Sequence, residues 1–327
     1  MITTKRQSLV LPHMPLPVGV MKQFYPPPAG AVLYLPGYPP GGSTIYDRSN
    51  VFYDSAINTN EELDDSETGV DVTPDATTAI PVGSVIRIES EQMLVSATGV
   101  TLTVSRGYNG TTPATHATAT DIYRLTTNHG TITGAGWKFN GRIWYLDFDG
   151  TDDIVTVADA ASLRTLFGTP GGTILAWINP DSDGELDRGA ICAKFGNWVL
   201  RTTNEAAGYV KLTLGHNRDG TSGVWVTTNA IVPINTWSLV GVAYNDADVA
   251  NDPVFFYNDT VPAVTESSIP VGAVTADTGG ALTWGDRSNS DSAYDGKIGL
   301  EGLLKATLWT AAQTRNWYQQ TRHLFGV

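Results

Sequence analysis

Cysteine is almost missing from this chain. Cys192 stands alone among 327 residues, so no intrachain disulfide can form and no cysteine-rich zinc site can be assembled. Its neighbours Ile191 and Ala193 predict a buried, inert thiol. Charge is scarce too, at 16% of residues, and it runs acidic: 20 Lys and Arg against 33 Asp and Glu give a formal −13. That balance disfavours partners held by phosphate neutralisation, so nucleic acid is not an expected ligand. No apolar run approaches membrane-spanning length, and no membrane insertion is expected. The apolar start at Leu9, Val10 and Leu11 is cut by Pro12, Pro15 and Pro17, a pattern unlike a secretory signal. A role outside a cell would then need another route, such as release by lysis.

The familiar catalytic constellations are lacking as well. A retaining glycosidase needs two carboxylates about 5 Å apart, which a strand supplies as alternating acidic residues. No such run occurs. The acidic stretch 181–187 contains Gly184 and reads as a loop. His13, His116, His129, His216 and His323 are scattered, and no Ser/His/Asp arrangement emerges. The chain is expected not to be an enzyme.

What is present is strand chemistry. Thr and Val are abundant, there are 34 glycines, and short apolar runs recur between turn residues. Runs at 137–139, 144–148, 173–180, 190–194, 198–202, 209–214, 223–227, 237–244, 254–258, 281–284 and 300–309 all read as strands. The fold class is all-β, a two-sheet antiparallel sandwich. Two short helices are predicted, at 160–167 and at 311–325. Asp149, Gly150, Thr151 and Asp152 have turn chemistry, and a hairpin is expected between Leu146, Phe148 on one side and Ile154, Val157 on the other.

The run Leu146, Phe148, Asp149, Gly150, Asp152, Asp153 resembles the laminin-G-like (concanavalin A-like) jelly-roll family. The opening strand 31–35, the polar turn 46–50 and the His-Gly-Thr-Ile-Thr-Gly stretch at 129–134 fit the same family. In that family the second of these stretches follows the first closely, whereas here about eighty residues intervene. The spacing implies an insertion at a surface loop, where added length costs little closure entropy. The expected organisation is a proline-rich extended arm at 1–30, a jelly roll at 31–50 plus 128–327, and a small inserted β domain at 51–127.

The insert has a signature of its own: Ile86, Ile88, Glu91, Met93 to Val95, Leu102 to Val104, Arg106 to Thr111, His116, Tyr123 and Arg124. It resembles a small β module of bacteriophage structural and tail proteins. The resemblance implies a virion structural protein: a capsid decoration, tail or fibre subunit, assembled in the host cytoplasm and carried on the particle surface. Other virion proteins would be its partners through Leu11, Met14, Leu16, Phe24 and Tyr25 of the arm. A homo-oligomer is expected, a trimer around an axis suiting such a particle. The alternative is a free carbohydrate-binding lectin of cellular origin. For a surface glycan, aromatic platforms and polar groups point to Trp198, Trp225, Asn217, Arg218 and Tyr294. Calcium is the candidate cofactor, because family members often hold it at the sheet edge. Its candidate ligands are Asp149, Asp152 and Asp153 in one loop, Asp286 and Asp291 in another.

Overall fold

The computed structural model describes residues 27–28, 30–37, 40–49, 52–125, 128–289 and 291–327. The arm residues Leu11, Met14, Leu16, Phe24 and Tyr25 therefore lie outside the described residues. Two antiparallel sheets face each other. In the first, the spatial order is Gly136–Phe139, Trp144–Asp149, Asp295–Lys305, Gly172–Pro180, Ser238–Tyr244 and Val254–Tyr257, with Ala31–Leu35 also laddered to Asp295–Lys305. The second runs Thr44–Ile45, Gly130–Thr133, Ile154–Val157, Leu282–Trp284, Arg188–Lys194, Trp198–Ala206, Tyr209–His216, Gly223–Thr227 and Val264–Ser268, with Val232–Pro233 beside Tyr209–His216.

The central strands of the first sheet are buried on both faces, which explains their almost unbroken apolar sequence. Along Gly172–Pro180, Ile174, Ala176 and Ile178 enter the core between the sheets, while Leu175 and Trp177 point the other way. That second face is covered by the only α-helix among the described residues, Ala311–Phe325. Thr310 and Gln313 form its capping box, and Gly326 ends it in the left-handed conformation. Trp177 stacks on Phe325 at 4.4 Å between ring centroids, and its indole N–H donates to Thr321 Oγ1 at 3.0 Å. One sheet is thus capped by the helix. The other keeps an outward face of its own.

A third structure interrupts the first two. Phe52–Thr59, Gly69–Thr73, Thr101–Ser105, Glu91–Ala97, Val85–Ile88 and Asp121–Leu125 close into a six-stranded barrel around Ile57, Leu63, Val70, Ile86, Met93, Leu102 and Ile122. None of its strands is laddered to either sheet. Its flanks meet at one point of the sandwich: Asp47 accepts from the backbone N–H of Tyr34, Ser49 and Asn128, and Asn128 Nδ2 donates to Val32 O. An insertion whose ends are held together leaves the surrounding ladders undisturbed.

Three expectations need correction. The turn at 149–153 is not a hairpin: Trp144–Asp149 pairs in the first sheet and Ile154–Val157 in the second, so the loop carries the chain from one sheet to the other. The helix expected at 160–167 shrinks to a single 3₁₀ turn, Ala161–Leu163. The strand Phe52–Thr59 was not foreseen, because its polar run bends at a bulge near Ala56, where φ is 58°.

Candidate functional site

The outward face of the second sheet is built by simple alternation. In Trp198–Ala206, Trp198 and Leu200 enter the core, so Val199 and Arg201 face out. Across the ladder Val199 pairs with Gly215 and Gly215 with Val224, while Arg201 pairs with Thr213 and Thr213 with Val226. Gly215 contributes no side chain between two valines, and a dip forms in the sheet. This dip is the floor of a depression of about 170 Å³. Its rim carries Asn217 and Ser222 at one end and Arg287 and Ser288 from a neighbouring loop. Phe195, half exposed at 51%, overhangs another edge.

The residues expected to hold a glycan are distributed differently from the reading of the sequence. Trp198 is 3% exposed, and Trp225 and Tyr294 are fully buried, so none offers a ring face to solvent. Trp198 packs edge-on against Phe167, Trp225 donates its indole N–H to Asp252 at 2.8 Å, and Tyr294 packs against Phe148. They are core residues of a sandwich whose interior needs large aromatics to fill it. Arg218 is spent on the backbone carbonyls of Gly272 and Asp246. Asn217 alone of the five faces the depression with polar groups; its Nδ2 donates to Gly196 O and its Oδ1 accepts from Ser222. Val199, Arg201 and Val224 were missed, although the two-residue period of their strands places them opposite the tryptophans.

The carboxylates expected to bind calcium also separate into two cases. Asp149, Asp152 and Asp153 each present an oxygen within 4.8 Å of the others. Asp153 Oδ2 accepts from the Asp149 N–H and Asp149 Oδ1 from the Thr151 N–H, so the turn itself positions the cluster. Burial, reinforced by the charges of Asp149 and Asp152, pushes the Asp153 carboxyl above its usual range. A divalent cation would relieve that repulsion, and hard oxygen donors suit calcium. Gly134 lies against this carboxylate with φ 78°, and a Cβ there would sit 1.9 Å from Asp153 Oδ1. Asp286 and Asp291 do not form a comparable group among the described residues. Asp286 is buried and accepts from the N–H of Arg287 and Ser292, closing their loop. Asp291 is occupied by Arg287 and Asn289.

The barrel holds a different kind of centre. Glu91, wholly buried, takes both arms of the Arg106 guanidinium at 2.7 and 2.8 Å, the N–H of Gly107 and Ala114, and His116 Nε2 at 2.9 Å. Arg106 also donates to the carbonyls of Asp64, Glu67 and Ala114. Burial alone would raise the Glu91 carboxyl, but Arg106, His116 and the two backbone donors hold it at about 2. Every lone pair is committed to closing the loop 106–116. Of the residues that mark the insert in the sequence, Glu91, Arg106, Gly107 and His116 knot it shut, while Ile86, Ile88, Met93 and Leu102 fill its core.

With the geometry in place, the comparisons take their meaning. Residues 149–300 match the family described as the concanavalin A-like lectin/glucanases superfamily. Over those residues the sandwich is similar to a concanavalin A-like domain. Comparison with curated proteins gives no match. Among solved structures, the sandwich is similar to domain 4 of AbnA, a GH43 extracellular arabinanase from Geobacillus stearothermophilus, at 13% identity over 58% of this chain and 88% of that one, TM-score 0.42. It is similar to a heptameric SAP-like pentraxin from Limulus polyphemus at 14% identity over 51% and 82%, TM-score 0.35. A third similarity is to the CBM40 of the Ruminococcus gnavus IT-sialidase, 16% identical over 56% and 98%, TM-score 0.40. These are likenesses of fold, and no ligand follows from them.

Proposed function

We propose that this chain is a non-enzymatic structural protein of a bacteriophage particle, a decoration, tail or fibre subunit whose concanavalin A-like sandwich adheres to a host surface glycan. The observation that carries the reading is the division of labour between two sheet systems. The barrel commits Glu91, Arg106, Gly107 and His116 of its phage-module signature to a buried knot and the apolar members to its core, which suits a rigid structural insert. The sandwich, capped by its helix on one side only, leaves a sheet face with a mixed polar and apolar depression, the kind of surface that accommodates sugar rings and hydroxyls. The floor positions Val199, Gly215 and Val224 supply neither acid nor base, which supports binding over hydrolysis.

Calcium belongs to the same proposal, held by Asp149, Asp152 and Asp153 at the crossing between the sheets. Docking to other virion proteins is assigned to residues 1–30, and a trimer suits the particle. Labelling purified particles with an antibody against residues 129–327 and imaging them by electron microscopy tests the reading. Label over the head or on the tail is expected. Absence of label on every particle would overturn it in favour of a free lectin.

A further inference from the structure

Arg201 is the unusual group of the open sheet. It lies half-sheltered on the floor of the depression, its Nε is shielded from solvent without a partner, and it makes no hydrogen bond or ion pair among the described residues. A guanidinium placed so in a chain of formal charge −13 is not short of available carboxylates. The charges that act on it most strongly are nevertheless of its own sign: those of Arg188 and Arg287, offset only by Asp291. Asp291 is itself paired with Arg287 at 3.1 Å. Lys194, a further cation lining the depression, is already neutralised, with its ammonium 2.6 Å from Asp159 and 2.6 Å from Gly280 O. An unpaired guanidinium whose Nε is shielded from water, in the field of two others, costs free energy that an exposed lysine would not. Burial and these like charges draw its pKa below the usual arginine range, as expected of a cation awaiting an anion.

The surroundings specify what the anion is attached to. One row along the sheet from Arg201, the Val199, Gly215 and Val224 floor is apolar and flat enough for the C–H face of a sugar ring. Beyond it, Asn217 and Ser222 offer amide and hydroxyl groups to ring hydroxyls. The three residues from the Thr213 row to the His216 row span about 10 Å, room for a short oligosaccharide. Arginine is suited to the charged end, because its planar fork matches a carboxylate bidentately.

We propose that this depression is a site for acidic saccharides, with Arg201 receiving the carboxylate, Arg287 assisting from the rim, and the Val199–Gly215–Val224 floor carrying the ring. The proposal rests on the glycan-adhesion reading above and narrows it to carboxylate-bearing sugars. Sialyl, glucuronyl and galacturonyl oligosaccharides are titrated into the full chain by calorimetry, each beside its carboxyl methyl ester, which keeps ring and linkage and removes the charge. At least one acid form is expected to bind about tenfold or more tightly than its ester, with affinity falling as salt rises. Arg201→Gln should bring the acid down to the level of the ester, and Arg287→Gln, on the loop at the rim, should shift it part of the way in a chain whose melting temperature confirms that it is folded. Acids and esters binding alike would overturn the acidic site and leave glycan adhesion standing. Binding of no saccharide in either form would overturn both. Unchanged affinity in a folded Arg201→Gln chain would overturn the assignment to this depression.

Discussion

Glu91 in the barrel and Glu301 in the sandwich are both cut off from water, yet burial treats them in opposite ways. Glu91 meets an arginine, a histidine and two backbone donors, and it stays ionised down to about 2. Glu301 sits two residues before Leu303, on the face toward the opposite sheet where Cys192 lies; its Oε2 has no partner, and burial raises its carboxyl to about 8. The barrel is built around its charge. The sandwich instead keeps its carboxyl mostly protonated at neutral pH, inside a core filled largely by Leu, Ile, Trp and Phe. The difference teaches how each unit handles a buried carboxyl: the small barrel satisfies it with a polar knot beside its apolar core, while the large sandwich buries enough apolar surface to carry the penalty.

Breaking the knot should have the largest effect. Glu91→Ala leaves the Arg106 guanidinium buried and unpaired, and a loss of about 3–5 kcal/mol is expected. Thermal unfolding should show the barrel lost and the sandwich intact; a variant as stable as the parent would mean the knot is dispensable. Glu301→Gln should act in the other direction. The folded carboxyl, at about 8, titrates above its ordinary 4.5, so the unfolded chain gives up its proton first and stability falls as pH rises between those values. The glutamine variant should match the parent near the lower end and exceed it by a few kcal/mol near the upper, as denaturant titrations at several pH values would reveal. Equal stability of the two chains at every pH would contradict this.

Calcium should affect the sandwich more modestly. At a hundredfold excess over its dissociation constant it would add about 2.7 kcal/mol, seen as a raised melting temperature that a chelator reverses and Asp152→Asn abolishes. A melting temperature indifferent to chelator removes calcium from the account. Gly215→Ala should be nearly silent for stability, within about 0.5 kcal/mol, because its Cβ would meet Val199 Cγ1 at an ordinary 3.5 Å. The same change should shallow the depression and weaken saccharide binding; unaltered binding would move the ring off this floor.

Much of the fold is legible in the sequence because it rests on local rules. Alternation identifies Trp144–Asp149 and Tyr209–His216 as strands, and Thr310 with Gln313 and Gly326 marks both ends of the helix. Which sheet a strand joins is not local. Leu146, Phe148 and Val157 look alike whether the loop between them makes a hairpin or crosses the sandwich, since all three enter the same core. The site was harder to read for a related reason. Tryptophan beside polar residues suggests a sugar platform, but Trp198 and Trp225 are held inward by the same period that turns Val199, Arg201 and Val224 outward. An isolated arginine in a strand has no motif around it. Its neighbours Gly215 and Arg287 come beside it only in three dimensions.

Scanning calorimetry of the intact chain between pH 5 and 8 tests most directly whether barrel and sandwich are separate units with opposite charge logic. Two transitions are predicted, assigned by the disappearance of one in Glu91→Ala. The sandwich transition should descend as pH rises and stop descending in Glu301→Gln, while Glu91, held at about 2, adds no pH dependence to the barrel transition in that window. A single transition, or two that move together with pH, would contradict the account.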